Sequence, residues 1–423
     1  MSVSVLGALS GAEPPPLSLP GSHFAVATGF LLAGGLGLLA SAPDLAAGSF
    51  LSPRVTATTH LFTLGWITTS IMGALYQLLP VVLDRAIRWP GVARGTLVLH
   101  AVGLALFVAG LALQRPGLTA PAAAALALGL GLFVANLAAT LKRAPRRDLT
   151  WWALVGAASF LALTVVVGAA MAVNLRWPFM GAARIPALAS HIHIALAGWV
   201  GLVVAGVGHR LLPMFLLSHG ASERPGRWAV GLLATGAALV FSLHHAPAPW
   251  PRLVAGPVLL AGAAALLVQA RAFYRARRRP DVDPGMRLAA AALGVVGLGA
   301  ALGAWQVVAG FGRPALATAY VAALVLGLSL FVAAHYYKIV PFLVWYHRFG
   351  PVAGRQPVPK VADLYSAPGA TAATGLQALG VVALVGGVLW GAPGVVRTGA
   401  ALFLCGAVVE AAQLAGVARR RPA

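Results

Sequence analysis

The chain has 423 residues, 60 % of them hydrophobic and only 9 % charged, with a formal net charge of +21. A soluble core of this size carries far more charge. Apolar runs of about 20 residues repeat from end to end, so the composition excludes a water-soluble domain and points to an all-α, polytopic membrane bundle in contact with the lipid bilayer. The basic excess sits in the connections between runs, which reads as topology and attraction to anionic lipid, with no nucleic-acid partner.

Residues 1–20, with Pro14 to Pro16, lack a basic start before the first apolar run and read as a short tail rather than a cleaved signal. Twelve spans follow, at 24–41, 57–80, 92–113, 119–141, 150–173, 189–213, 228–245, 253–270, 287–310, 315–341, 370–390 and 395–417. No domain boundary interrupts them: the polar connections 271–286 and 342–369 read as loops, so residues 1–423 form a single transmembrane domain.

Alternate connections carry clusters of cations: Arg85 to Arg94, Lys142 to Arg147, Arg224 and Arg227, Arg271 to Arg287, Arg348 to Lys360, and Arg419 to Arg421. The others hold mostly single arginines, such as Arg54, Arg115 and Arg313. Cationic connections stay inside, so the expected location is the cell inner (cytoplasmic) membrane with both termini cytoplasmic, which requires an even number of spans. Tryptophans at the span ends (Trp89, Trp151, Trp152, Trp177, Trp228, Trp250, Trp345, Trp390) fit an interfacial belt. The single Cys405 excludes an intramolecular disulfide and a cysteine-held metal cluster.

Spans two, six and ten end in related phrases: Tyr76-Gln77-Leu78-Leu79-Pro80, His209-Arg210-Leu211-Leu212-Pro213 and Tyr337-Lys338-Ile339-Val340-Pro341. At a constant offset of 133 residues, His60, Gly65, Trp66, Gly73 and Pro80 map onto His193, Gly198, Trp199, Gly206 and Pro213. The repeating unit is therefore four helices, used three times at about 24–141, 150–270 and 287–417. The 20 residues from His60 to Pro80 cover about 30 Å, which sets His60 and His193 near the outer surface and the prolines near the inner one.

Function falls on histidine because carboxylates are scarce. Of nine acidic residues only Glu410 lies within a span, close to its cytoplasmic end, which argues against a carboxylate-driven transporter. Neutral imidazole is tolerated in the bilayer and is a good ligand for haem iron, copper and zinc. Span seven finishes at His244-His245, at the level of His193 and His60, so His193, His244 and His245 are a candidate copper site. His191 lies about 200° around the helix from His193, and the two do not easily face one centre.

In this pattern the chain resembles the haem–copper oxidase subunit I superfamily over nearly its whole length, from His60 through Gly65-Trp66 and Gly73-Ala74-Leu75-Tyr76 to Pro80, and in the order of His193, His244 and His245. The resemblance implies twelve spans in three pseudo-symmetric four-helix arcs, haem bound by His60, copper bound by His193, His244 and His245, a cytochrome or other redox subunit as partner, and oxidoreductase activity in a respiratory chain. The chain departs from the family on span ten, where the two expected histidines are missing and Val321 and Tyr320 stand at the repeat position. Span ten's only histidine, His335, is the remaining haem-ligand candidate there, but at the wrong depth to pair with His60. The glutamate and tyrosine expected after the copper histidine are replaced by Ile194-Ala195-Leu196-Ala197, which makes proton pumping unexpected. Gly208-His209-Arg210-Leu211-Leu212-Pro213 is similar to a phrase of the NnrS-like haem- and copper-containing family linked to nitric oxide metabolism, which implies that the ligand set need not be that of a terminal oxidase.

Each residue also has a plainer reading. His60 and His193 are haem or metal ligands, or else hydrogen-bonding histidines that lock helices together. His244 and His245 are ligands or an exposed loop pair beside Pro247 and Pro249. Gln77, Arg210 and Lys338 snorkel to lipid phosphate in the favoured reading. Gly65, Gly73, Gly198 and Gly206 permit close helix packing, or else clear a surface for a flat macrocycle. Two alternatives to redox chemistry remain on the same scaffold: a metal, haem or small-molecule transport and handling protein, expected to show a polar channel lined by Tyr76, Gln77, His209, Arg210 and His335, and a structural subunit without cofactor.

Overall fold

The computed structural model of the protein describes residues 15–242, 250–309 and 312–422. They fold into twelve long helices: α1 Ser18–Ala40, α2 Pro53–Leu83, α3 Pro90–Ala112, α4 Pro116–Leu141, α5 Leu149–Arg176, α6 Gly181–Leu216, α7 Arg224–Ser242, α8 Trp250–Arg275, α9 Pro284–Ala309, α10 Pro314–Val352, α11 Ala367–Leu389 and α12 Pro393–Arg419. Among the described residues, eleven are long and apolar enough to cross a membrane, and α7 occupies the seventh predicted place. The protein is a polytopic all-α membrane protein whose apolar helices face lipid. Helices are the outcome because the bilayer offers no partner for backbone N–H and C=O groups, which must pair within each span.

Helix starts are set by proline in the first turn of α2, α3, α4, α10, α11 and α12, where its missing N–H costs nothing. Side-chain caps add to this: Ser52 accepts from Val55 N at 3.2 Å and Asp148 from Trp151 N at 3.0 Å.

Neighbours in sequence pack as hairpins, most extensively α3–α4, α7–α8, α9–α10 and α11–α12, and α12 returns to α1 to close the bundle. Three helices form its centre. In α2, α10 and α6, 78 %, 72 % and 56 % of the apolar window is buried inside the protein, against 22–50 % in the other spans that cross. Trp66 of α2 donates to Ser329 O of α10 at 3.2 Å, and Trp199 of α6 donates to Thr68 Oγ1 of α2 at 3.1 Å, so the repeated tryptophans tie the centre together.

The repeat is visible in the backbone. A wide, π-type stretch follows each repeated histidine, Leu61–Thr68 after His60 and Ile194–Gly201 after His193. Both helices stop at a left-handed residue, Asp84 and Leu217, each with φ of 51°. The repeated glycines serve packing. A Cβ on Gly65 would lie 2.6 Å from Phe30 Cβ, and one on Gly198 2.6 Å from Phe160 Cγ. Gly73 and Gly206 lie against His23 and Ala153. Aromatic rings of α1 and α5 therefore fill the face that a flat macrocycle would need.

One expectation is corrected. The helices do not end at the repeated prolines: α2 and α6 run on to Leu83 and Leu216, and α10 passes Pro341 to reach Val352. Proline removes one donor and disturbs the carbonyl four residues earlier, but packed neighbours hold the helix through the defect. Arg210 and Lys338 each have a carboxylate partner within the protein. Arg210 pairs with Asp148 at the start of α5, and Lys338 with Asp283 just before α9. Each cation at the end of a central helix thus neutralises an aspartate at the start of the first helix of its own unit, where the helix dipole also favours a carboxylate. The first unit carries buried Gln77 instead.

Candidate functional site: the outer imidazoles

The depth of His60 and His193 is set by their helices, and their tautomer by the preceding turn. His60 Nδ1 donates to Thr56 O at 2.8 Å, and His193 Nδ1 donates to Ala189 O at 2.7 Å, the same bond 133 residues on. A carbonyl only accepts, so Nδ1 carries the proton in both neutral residues and Nε2 is an acceptor.

Each repeat position then faces the next central helix. His60 turns from α2 toward α6: its ring meets Phe107 of α3 edge-on at 5.2 Å and lies 6.4 Å from the ring of His191, at 30°. His191 rests on Gly168 of α5, where a Cβ would come within 2.8 Å of its Cε1, and its Nδ1 is buried with no hydrogen-bond partner among the described residues. His193 turns from α6 toward α10, where the Tyr320 hydroxyl donates to its Nε2 at 3.0 Å. Tyr320 lies in turn on Gly303 of α9. Val321 turns from α10 toward α2 and lines a narrow cleft with Ser41, Thr58, Thr59 and Thr318. Three equivalent seams therefore carry three chemistries: a histidine pair, a histidine–tyrosine pair, and an apolar cleft edged with hydroxyls.

His244 and His245 lie outside the described residues. The end of α7 reaches the expected level, since Ser190 donates to Val240 O at 3.0 Å in the turn that carries His191 and His193. Among the described residues, no three His, Cys, Asp or Glu side chains gather at one point. His335 stands apart, with Nδ1 bonded to Phe331 O at 2.7 Å and its ring between Phe331 and Phe215. It lies 15 residues, about 22 Å, further along α10 than Tyr320, so it does not join His60.

Sequence reasoning set His191 aside because it cannot share a centre with His193. The structure agrees on that geometry and gives His191 a different partner, His60. No repeat marks it, for Thr58 occupies its place in the first unit. The residues expected to line a polar channel also separate. Tyr76 lies beside His23 of α1, His209 beside Glu223 and Phe273, Arg210 on Asp148, and His335 among phenylalanines.

The ring centroids of His60 and His191 are 6.4 Å apart, with 30° between the ring planes. Two imidazoles bound to one ion from opposite sides, each at about 2 Å, place their ring centroids about 6 Å apart. A carbonyl holding the second nitrogen of His60 is the outer-shell arrangement usual for ligating histidine. Compared with known proteins, the chain matches no family model and no curated protein.

Proposed function

We propose that this membrane protein binds a metal of the copper type at its outer imidazoles and serves redox or nitric oxide related chemistry on a haem–copper oxidase-like scaffold. The observation that carries the reading is the His60–His191 pair: two imidazoles from α2 and α6 with 6.4 Å between centroids, His60 Nδ1 held by Thr56 O, and His191 Nδ1 buried without a hydrogen-bond partner among the described residues. Imidazole nitrogen suits copper, and a bound copper ion supplies one-electron chemistry. His193, with His244 and His245, is the second position, and the Tyr320 hydroxyl bonds the nitrogen such a ligand would use. Haem enters this reading through His60, His193 and His335, of which His335 lies apart among phenylalanines, while Phe30 and Phe160 lie against Gly65 and Gly198. The scaffold sits in the cell inner membrane with its basic connections cytoplasmic, following the distribution of arginine.

A second reading, a metal or small-molecule handling protein without redox catalysis, draws on the Tyr320–His193 bond, which gives His193 a packing role. Metal analysis and optical spectra of the detergent-purified protein, oxidised and reduced, separate the readings. Copper near one per chain, lost in H60A or H191A, supports the first. A Soret band lost in H60A adds haem, and a protein that binds neither metal sinks the redox proposal.

A further inference from the structure

Among the described residues Glu410 is the one carboxylate within a span, and the site described above does not use it. It lies on α12, nine residues before Arg419 and so about 13 Å from that basic end of the helix. The side chain is 1 % exposed, and its partner Gln377 on α11 is 0 % exposed. Gln377 Nε2 donates to Glu410 Oε2 at 2.6 Å. Gly406 keeps the amide in place: a Cβ there would fall 2.7 Å from Gln377 Cγ and 2.6 Å from Ala373 O.

The pair leaves two buried oxygens, Glu410 Oε1 and Gln377 Oε1, without a hydrogen-bond partner. Both are acceptors, so the seam is short of a donor. Among the described residues no cation pairs with Glu410. The polar groups facing Glu410 from α10 are the hydroxyls of Tyr336 and Tyr337, while Lys338 is engaged by Asp283. No group on α11 titrates, and the only one on α1, His23, faces Tyr76 of α2. A carboxylate charge without a counter-charge is costly inside an apolar bundle.

We infer that the Glu410–Gln377 pair is a proton-binding site, exchanging its proton with water at the basic end of the bundle. The step is a simple uptake: the carboxylate takes a proton at Oε1, the buried charge disappears, and the new O–H is a donor beside an unpartnered acceptor, Gln377 Oε1. Polar groups continue toward the surface from Tyr337, whose hydroxyl accepts from Gln413 Nε2 at 3.5 Å, while Gln413 Oε1 accepts from exposed Ser366 N at 3.2 Å. On the inward side Tyr336 donates to Ser70 Oγ at 2.7 Å, and Ser70 donates to Trp66 O at 2.5 Å, at the contact of α2 with α10. A bound proton at Glu410 therefore lies between the basic surface and the central helices.

Infrared difference spectroscopy of the full chain in lipid nanodiscs tests this, with glutamate carboxyls isotope-labelled, since the sequence holds only Glu13, Glu223 and Glu410. The expected result is a protonated-carboxyl band at neutral pH that is absent in E410Q, displaced in Q377L and lost reversibly as the buffer is made alkaline. In Y337F the deuterium exchange of that band slows several-fold. The proposal is overturned if wild type shows only ionised carboxylate bands throughout, or if sodium or potassium at constant pH converts the band to a carboxylate signal, which assigns the pair to a metal cation. Should E410Q fail to fold, E410D replaces it: a displaced acid band keeps the assignment, and an unaltered spectrum removes it.

Discussion

The Tyr320 hydroxyl stands 3.0 Å from Nε2 of His193, joining α10 to α6 at the level where His60 faces His191. The bond holds one imidazole in a fixed orientation and at the same time occupies the nitrogen that a metal would take. Y320F is expected to cost about 1 kcal/mol of stability, the worth of one buried hydrogen bond, and to raise copper binding at His193. Thermal unfolding in detergent and copper titration measure the two effects, and unchanged copper binding argues that His193 is a packing residue.

Small residues under aromatic rings should be the most sensitive packing positions. G65A and G198A each force a Cβ to within 2.6 Å of Phe30 or Phe160 and are expected to destabilise by about 1–3 kcal/mol. Gly91 and Gly95, near the start of α3, have nothing within 4 Å of an added Cβ, and G91A and G95A are the matched controls that should unfold at the wild-type temperature or above.

Leu217 closes α6 in the left-handed region at φ 51° and ψ 45°, a conformation that a branched apolar side chain resists. L217G is expected to stabilise by up to about 1 kcal/mol, whereas D84G at the equivalent end of α2 should gain less, because aspartate tolerates this region. A lower melting temperature for L217G counts against strain at this turn.

Alkaline pH should weaken the basic end of the bundle. Tyr365 lies in the connection before α11, and burial, aided by the nearby Asp283 carboxylate, pushes its phenol up from 10.0 to about 12. Between those values the unfolded chain has released the proton and the folded chain has kept it, so folding stability falls as pH rises through this window. Y365F should flatten that part of the stability–pH curve, as followed by thermal unfolding at a series of alkaline pH values.

Orientation is open to direct measurement because Cys405 is the only cysteine and lies on α12. In a C405S background, single cysteines at Arg146 and Arg278 should react with membrane-impermeant maleimide only in inverted vesicles, and one at Arg313 only in right-side-out cells. The opposite labelling reverses the proposed topology.

Helix class and a polytopic, many-span architecture were legible in the chain because lipid imposes its own rule: every span must be apolar and must satisfy its own backbone. The 133-residue offset in residue identity returned as a matching π-type stretch, a matching imidazole-to-carbonyl bond and a matching left-handed stop. These are local consequences of sequence, settled within a few residues of each histidine or proline.

What lies opposite a side chain was not legible. Periodicity places His191 and His193 on different faces of α6, but only the assembled bundle puts His60 beside the first and Tyr320 beside the second. The same holds for Arg210 with Asp148 and for Glu410 with Gln377, partners 62 and 33 residues apart. A helix determines the direction in which each residue points, and the packing of other helices around it decides whether that direction ends in lipid, in an ion pair or in another imidazole.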